Sequence, residues 1–211
     1  MDSLIVYTAN FGNKDKIYQE SFVKENIEYV YFTDRKVECN DRNVIVEPSR
    51  YADPVKAAKW YKLHPHVLFP GKTTFWLDAN YGVSKKKNIF ELLSQFNHIM
   101  LELHAKQPYD EVTACIAANK VAELDKFKVQ VEHYKKEGLP LIAGYYRGGI
   151  LLRKPTELIT RFNQLWWDEI ERWQMRDQIS LSYVLWKHKI PVVPFTKGYY
   201  GRRGNHVWNP K

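Results

Sequence analysis

The chain has 211 residues, of which 45% are hydrophobic and 15% aromatic, and its formal net charge is +8. This length suits one domain with a core that buries most of its apolar surface. The charge favours anionic partners, but the basic residues are scattered rather than gathered in one arm, which disfavours a general nucleic-acid-binding protein.

Predicted strands and helices alternate along the chain. The first half predicts strands at 4–9, 28–34 and 43–48, a helix at 55–63 behind Pro54, a strand at 73–77, helical spacing at 88–96 and a strand at 98–104. The second half predicts helices at 109–122 and 123–137, glycine-broken strands at 141–154, helices at 155–173 and 176–188, and a short strand at 192–195. This alternation predicts an α/β fold: a single domain over residues 1–211, with a central, mostly parallel mixed β-sheet flanked by helices.

The two cysteines, Cys39 and Cys115, form no Cys-x-x-Cys motif, so no zinc site is indicated. Cys115 lies in an apolar run and is expected to be a small buried residue. No apolar run approaches the roughly 20 residues of a membrane span, and the N-terminus lacks a leader pattern. We therefore expect a cytoplasmic domain, and its abrupt end suggests a piece of a longer chain.

The segment TTFWLDANYG, residues 73–82, places polar side chains directly after a predicted strand. Its Thr, Phe and Trp residues favour a buried strand, and the Asn and Gly that follow mark the exit from the sheet. Asp78 and Asn80 are two residues apart, so both point the same way at a strand end, where open α/β sheets bind ligands. Their oxygens suit Mn²⁺ or Mg²⁺, whereas an Asx turn is the alternative.

Two earlier strand ends are candidates for contacts with a nucleoside. Tyr7, Thr8 and Phe11 belong to a strand and loop that carry aromatic rings and reach Gly12, without the G-x-G-x-x-G fingerprint. Asp34 ends the second predicted strand and could accept hydrogen bonds from a base or ribose. A turn or helix-capping aspartate is the alternative reading of Asp34.

Basic residues in two regions are candidates for phosphate binding. In the helix at 55–63, lysines recur every three residues, and Lys59, between Ala58 and Trp60, is the one expected to point inward. A solvated helix face is the alternative. Near the C-terminus, Lys197, Arg203 and Lys211 surround His206, which could join Asp78 and Asn80 as a metal ligand.

Two pairs of residues could shape a sugar site. Gly148 and Gly149 interrupt a predicted strand, as expected where a backbone approaches a ligand closely, although backbone packing would also explain them. Asp177 and Gln178 open a predicted helix. They could stabilise a cationic sugar transition state, or Asp177 could simply complement the helix dipole.

The order of Asp34, Asp78-Ala79-Asn80, Asp177-Gln178 and His206 along the chain resembles that of a GT-A glycosyltransferase. This is a nucleotide-sugar-binding α/β domain whose D-x-D motif ends a central strand and holds Mn²⁺. The resemblance is greatest to retaining enzymes of the family-8 type. It implies base recognition by Asp34, a metal site of Asp78, Asn80 and His206, and a later Asp-Gln pair. Asn80 departs from the second acid of the motif, which implies weaker metal binding.

The strings YTANFGNKD and RDQISLSYVLWK also resemble a glycosyltransferase-like family of plants, bacteria and large viruses. Within it, the chain is similar to the N-terminal glycosyltransferase domain of a large chlorella-virus protein, which implies viral glycan synthesis in the host cytoplasm.

The resemblance implies transfer of a hexosyl or deoxyhexosyl group from a UDP-sugar to a glycan hydroxyl, with retention at the anomeric carbon. Asp78, Asp177 and Gln178 would be the catalytic residues, with Asp177 or Gln178 stabilising charge or acting as a transient nucleophile. Two alternatives are a nucleotide-sugar-binding module without turnover and a basic nucleic-acid-binding protein, whose affinity would fall steeply with salt.

Overall fold

A mixed β-sheet forms the centre of the computed structural model, which describes residues 3–16, 24–104, 108–117, 123–141, 144–173, 177–195 and 198–202. Seven strands lie in the order β3-β2-β1-β4-β7-β6-β8, and two more, β5 and β9, form a separate antiparallel pair. The strands are β1 (Leu4–Asn10), β2 (Ile27–Thr33), β3 (Asn43–Val46), β4 (Thr73–Leu77), β5 (Tyr81–Val83), β6 (Ile99–Leu103), β7 (Tyr146–Arg153), β8 (Val192–Pro194) and β9 (Tyr200–Arg202).

Strand β7 is antiparallel to both of its neighbours in the large sheet, whereas the other neighbouring pairs are parallel. The predicted α/β class and the mostly parallel sheet are therefore confirmed. Because β7 runs against the rest, its first residues reach the edge at which β1, β2, β4 and β6 end. Polar residues from five strands thus meet along this carboxyl edge.

Six α-helices flank the strands in the described part of the chain. They are α1 (Pro54–Leu63), α2 (Pro65–Leu68), α3 (Pro108–Ala117), α4 (Leu124–Lys136), α5 (Glu157–Arg172) and α6 (Asp177–Lys187). Helix α1 begins where Asp53 accepts a hydrogen bond from the Val55 backbone N–H at 2.8 Å, and Pro54 occupies the first turn. Thr156 caps α5 in the same way.

Apolar side chains pack on both faces of the sheet. On β1, Ile5 and Tyr7 face the larger cluster beneath α1, α5 and α6, whereas Leu4 and Val6 face a smaller one that includes Phe75 and Met100. The alternation follows from the two-residue period of a strand. Cys115 is 1% exposed within the larger cluster, which confirms its predicted burial.

Local differences from the sequence prediction concern short elements. The helical spacing at 88–96 yields only a 3₁₀ turn, Ile89–Leu92, which the Asn88 side chain caps. In the glycine-broken segment at 141–154, the described residues (141 and 144–154) form one strand, β7, rather than several. Strands β5 and β9 and helix α2 were not predicted. No helix in the described residues is long and apolar enough to cross a membrane.

His64 is a buried histidine that makes the stability of the fold depend on pH. Its ring stacks on Trp60 at 4.5 Å and its Nδ1 lies 2.8 Å from the Trp60 carbonyl oxygen. Burial is the main cause that lowers the pKa of His64, and the nearby Arg50 acts in the same direction. As pH falls, His64 is therefore protonated in the unfolded chain before it is protonated in the folded protein. The stability that neutral His64 contributes is thus lost as pH falls below about 6.5.

We expect a lower melting temperature at pH 5 than at pH 7.5, and a smaller difference for His64→Phe, which keeps a ring on Trp60 but cannot be protonated. Thermal denaturation followed by circular dichroism at both pH values measures this. His98→Phe is the control. If His64→Phe shows the same difference in melting temperature between the two pH values as the unchanged chain, His64 is not the cause of the pH dependence.

Candidate active site

A cleft of about 570 Å³ runs along the carboxyl edge of the sheet. Its floor follows β1, β4, β7 and β6, and α1 and α6 form one wall. Among the predicted site residues, those that line it are Phe11, Lys59, Asp78, Asn80, Gly148, Gly149, Asp177 and Gln178. The cleft therefore brings together residues that lie more than 160 positions apart in the sequence.

Asp78 lies at the centre of the cleft in a fixed orientation. Its Oδ1 accepts a hydrogen bond from the indole Nε1 of Trp76 at 2.8 Å, and its backbone N–H donates to the Gly149 carbonyl at 2.9 Å. The chain then turns, with the Tyr81 backbone N–H donating to the Asp78 carbonyl at 2.8 Å. The predicted strand end is thus followed by a turn that the backbone closes, whereas the Asp78 side chain contacts Trp76.

The two glycines of β7 lie where the strand leaves its pairing with β6. Leu101 pairs with Leu151, but the next residue of β6, Glu102, pairs with Arg147, so residues 148–150 have no partner on β6. This bulge brings Gly149 against Asp78, where a Cβ atom on Gly149 would lie 2.6 Å from the Asp78 Oδ2. A Cβ atom on Gly148 would lie 3.1 Å from the Lys62 ammonium. Glycine is therefore needed here for close packing against site residues.

Asp177 is held between two lysines of α1. The Lys59 Nζ lies 2.8 Å from its Oδ1 and the Lys62 Nζ lies 2.6 Å from its Oδ2. The three side chains are 15%, 6% and 12% exposed for Lys59, Lys62 and Asp177. Because Lys59 and Lys62 are three residues apart, they project from the same helix face. Lys56, one step earlier, pairs instead with Glu171 of α5.

The electrostatics of this cluster keep Asp177 ionised. Burial alone would raise the pKa of Asp177, but the charges and hydrogen bonds of Lys59 and Lys62 outweigh it and hold the pKa far below its ordinary value. The backbone carbonyl of Asp177 accepts hydrogen bonds from Trp166 Nε1 at 3.2 Å and Ser180 Oγ at 2.9 Å. At neutral pH Asp177 is thus a fixed anion that can accept hydrogen bonds but has no proton to donate.

A buried arginine fixes the end of α1 that carries Lys62. Arg153 is 1% exposed, and its Nη2 donates to the Lys62 backbone carbonyl at 2.9 Å and to the Tyr7 hydroxyl at 2.5 Å. Tyr7 in turn donates to the Lys62 carbonyl at 3.1 Å. The guanidinium also donates to Asn163 Oδ1 at 2.9 Å. These contacts connect the sheet, α5 and the C-terminal end of the lysine helix.

The structure corrects the role expected for Tyr7. It is 1% exposed and lies under α1, so it supports Lys62 rather than forming a wall of the cleft. Thr8 is 7% exposed and does not line the cleft. Phe11 lines it, although its ring stacks on Tyr61 at 5.1 Å and is largely buried.

Asp34 lies at the surface beside the loop that follows β1. Its Oδ2 accepts a hydrogen bond from the Gly12 backbone N–H at 2.9 Å. Gly12 has a φ of +62°, and a Cβ atom there would lie 2.8 Å from the Pro54 ring. Asp34 therefore ties the end of β2 to the loop at the β1 end of the cleft, and its contact with a base remains a prediction.

Two of the three predicted cation ligands, Asp78 and Asn80, lie within the described residues, and both are half-buried in the cleft. Over the same part of the chain, no group of three or more His, Cys, Asp or Glu side chains is arranged to hold a metal ion. The predicted third ligand, His206, lies outside the described residues, as do Lys197, Arg203 and Lys211. Strand β9 ends beside this site, where Arg202 pairs with Tyr81.

Five charged residues of the cleft were not among the predicted site residues: Lys14, Asp15, Lys62, Glu102 and Arg147. Lys62 had the same three-residue spacing as Lys59, which was a sufficient signal for a shared face. Glu102 and Arg147 gave no signal, because only the register between β6 and β7 brings them together. With them, the described lining contains four Lys or Arg and four Asp or Glu side chains, whose formal charges cancel.

The family model described as "TOD1/MUCI70, glycosyltransferase-like domain" matches residues 34–197. This range includes α1, β4, β6, β7 and α6 of the cleft but not β1. A plant relative, "Probable hexosyltransferase MUCI70" of Arabidopsis thaliana, is 27% identical over 184 residues, which is 77% of this chain and 31% of the relative. This chain thus spans about a third of the length of that relative.

A solved structure supports the fold. Mouse xyloside xylosyltransferase 1, in its apo form, superimposes with a TM-score of 0.51 at 12% identity, over 92% of this chain and 84% of that one. At this identity the likeness concerns the fold alone. The predicted glycosyltransferase relationship is confirmed by the family match, while the family-8 and viral resemblances stay predictions. The chain belongs to the TOD1/MUCI70 glycosyltransferase-like domain family.

Proposed function

We propose that this domain transfers a hexosyl or deoxyhexosyl group from a UDP-sugar to a hydroxyl of a glycan, with retention at the anomeric carbon. The observation that carries the proposal is the Lys59–Asp177–Lys62 cluster facing Asp78 across the glycine bulge of β7. Family membership supports the reaction class, and the name of the plant relative supports a hexosyl group.

The donor would lie along the cleft from β1 to β7. The nucleoside would occupy the β1 end, where the Asn10 side chain closes the loop by donating to the Asp15 carbonyl at 2.6 Å. The diphosphate would lie near Asp78 and Lys59, and the sugar near Gly148 and Gln178. This placement follows the usual position of ligands in α/β sheets, beyond the carboxyl ends of the strands.

In the proposed reaction, the acceptor oxygen forms a bond to the anomeric carbon. The bond between that carbon and the diphosphate oxygen breaks, and its electron pair stays on the diphosphate. The acceptor proton passes to the departing diphosphate or to solvent. Lys59 would donate hydrogen bonds to the diphosphate as negative charge develops. Asp177, neutralised by two lysines, is a poor nucleophile, so we assign it the task of orienting the lysines and a sugar hydroxyl.

A divalent cation fits this proposal, because Mg²⁺-type sites commonly use one or two protein oxygens together with substrate phosphates. Asp78 and Asn80 would hold Mn²⁺ or Mg²⁺, with His206 as a proposed third ligand. When bound, the cation would neutralise charge on the diphosphate. The need for added positive charge follows from the described lining, whose own charges cancel. Lys197, Arg203 and Lys211 are the proposed additional phosphate ligands.

Asn80 provides a direct test of the cation site. Replacing Asn80 with Asp adds a charged oxygen ligand, so we expect Asn80→Asp to tighten Mn²⁺ binding in the presence of UDP by about tenfold, which corresponds to about 1.4 kcal/mol. Isothermal titration of Mn²⁺ into the UDP-saturated protein measures it, and the exposed Asn40→Asp is the control. Equal Mn²⁺ affinity in the unchanged chain and Asn80→Asp would place the cation elsewhere.

The proposed donor class is tested by thermal shift with UDP, ADP, GDP and CDP, each with and without Mn²⁺. A ligand at 100 times its Kd stabilises the native state by about 2.7 kcal/mol, which raises the melting temperature of a protein of this size by several degrees. We expect the largest rise with UDP and Mn²⁺. No rise with UDP in either condition would overturn the proposal.

A further inference from the structure

The cleft extends beyond the proposed donor site to the end of β6. There it is lined by Glu102 of β6, by His104, and by Arg147 near the start of β7. These residues lie on the far side of the glycine bulge from the β1 loop, because β7 and then β6 follow β4 in the sheet order. We name this region, formed by Glu102, His104 and Arg147, the β6 pocket.

The β6 pocket contains an ion pair that faces the cleft. Arg147 Nη1 lies 3.4 Å from Glu102 Oε1, and the two side chains are 37% and 20% exposed. The register shift between β6 and β7 places them opposite one another at the point where the bulge ends. A carboxylate and a guanidinium side by side offer both acceptors and donors to a ligand without a net charge.

Two tyrosines lie next to residues of the β6 pocket. The His104 ring packs edge-on against Tyr145 at 5.0 Å, and the His104 backbone N–H donates to the Tyr145 carbonyl at 2.7 Å. Burial is the main cause that raises the pKa of Tyr200, and the neighbouring charge of Glu102 acts in the same direction, so this phenol stays protonated. Of these rings, His104 lines the cleft, whereas Tyr145 is 2% exposed and packs behind it. A polar pair next to a ring suits the hydroxyl and C–H surfaces of a sugar.

We propose that the β6 pocket binds the acceptor, and that it selects an uncharged sugar ring whose neighbouring hydroxyls bridge Glu102 and Arg147. The inference rests on the proposed glycosyl transfer. With the nucleoside at β1, the diphosphate at β4 and the donor sugar at β7, the β6 pocket is the next part of the cleft beyond the anomeric carbon. An internally neutral ion pair gives no preference for an acidic saccharide.

The test uses Glu102→Gln and Arg147→Met. A half-exposed ion pair contributes about 1 kcal/mol or less to stability, so both variants should fold. Saturation-transfer difference NMR with a panel of p-nitrophenyl hexosides and pentosides, in saturating UDP, reports saccharide binding without requiring turnover. The exposed Glu157→Gln and Arg161→Met on α5 are matched controls.

We expect both pocket variants to weaken binding of the saccharide that binds best to the unchanged chain by about tenfold or more, with UDP affinity within twofold. The proposed acceptor pocket is wrong if the unchanged chain binds UDP but no saccharide. It is also wrong if saccharide binding is kept in both pocket variants. In either case the proposed donor site is unaffected. Equal losses of saccharide and UDP binding would also overturn the acceptor pocket. If UDP itself does not bind the unchanged chain, the proposed function fails as well.

Discussion

Asp177→Asn should reduce sugar transfer by about 10²–10³-fold while UDP still binds with an affinity equal to or greater than that of the unchanged chain. Removing a positioned electrostatic group from an active site typically has an effect of this size. The amide keeps the shape of the carboxylate but no longer neutralises Lys59 and Lys62, which lie 2.8 and 2.6 Å from it. Lys59 is then available to a diphosphate, yet it is no longer oriented.

The same substitution should destabilise the fold. Removing one partner of a buried ion pair costs about 3–5 kcal/mol, because the other charge stays buried. We expect a melting temperature lower by several degrees, and partial recovery in Asp177→Asn with Lys62→Met, which removes the uncompensated charge. Turnover should not recover in the double variant. Asp168→Asn, on the exposed face of α5, is the control and should change neither property.

Loss of both UDP binding and turnover in Asp177→Asn, with the fold intact, would reassign Asp177 to donor binding. Steady-state kinetics at varied UDP-sugar concentration distinguish a role in the transition state from a role in donor binding. An effect confined to the transition state lowers turnover without raising the donor KM.

Gly149→Ala should have the second largest effect, a loss of about 10²-fold in transfer with little loss of stability. The added Cβ atom would lie 2.6 Å from the Asp78 Oδ2, so the carboxylate must move. Trp76 holds the other oxygen at 2.8 Å, so that hydrogen bond would be disturbed as well. Displacements of about 1 Å at a catalytic group can cost this much.

Gly201→Ala is the matched control for Gly149→Ala. Gly201 lies on β9 near the same turn, but a Cβ atom there has no neighbour within 4 Å. Steady-state transfer rates and melting temperatures of the two variants give the comparison. Normal transfer by Gly149→Ala would show that the position of Asp78 is not critical.

Local patterns in the sequence were sufficient for the framework of the site. Three local signals placed Asp78 and Lys59 at the same site: the buried strands predicted at 4–9 and 73–77, the proline and lysine spacing of α1, and the Asp-Ala-Asn exit from β4. Each of these signals lies within a stretch of about ten residues, where backbone preference and burial act together.

Contacts between distant segments could not be read in this way. The pairing of Lys62 with Asp177 joins residues 115 positions apart, and the pairing of β5 with β9 depends on a strand of three residues. Strand alternation also shows that Tyr7 and Thr8 face opposite sides of the sheet, but not that α1 covers the Tyr7 side. Glu102 and Arg147 are paired only because the register between β6 and β7 shifts after Leu101, and no local pattern in the sequence indicates that shift.

The central claim is that the cleft catalyses sugar transfer rather than only binding a nucleotide sugar. Release of UDP from a panel of UDP-hexoses and UDP-deoxyhexoses, measured with the p-nitrophenyl glycosides as acceptors and Mn²⁺ present, tests it most directly. We expect the unchanged chain to release UDP in a manner that depends on the acceptor, and Asp177→Asn to release about 10²–10³-fold less. Tight UDP binding without any release from the unchanged chain would contradict the claim and identify a binding module instead.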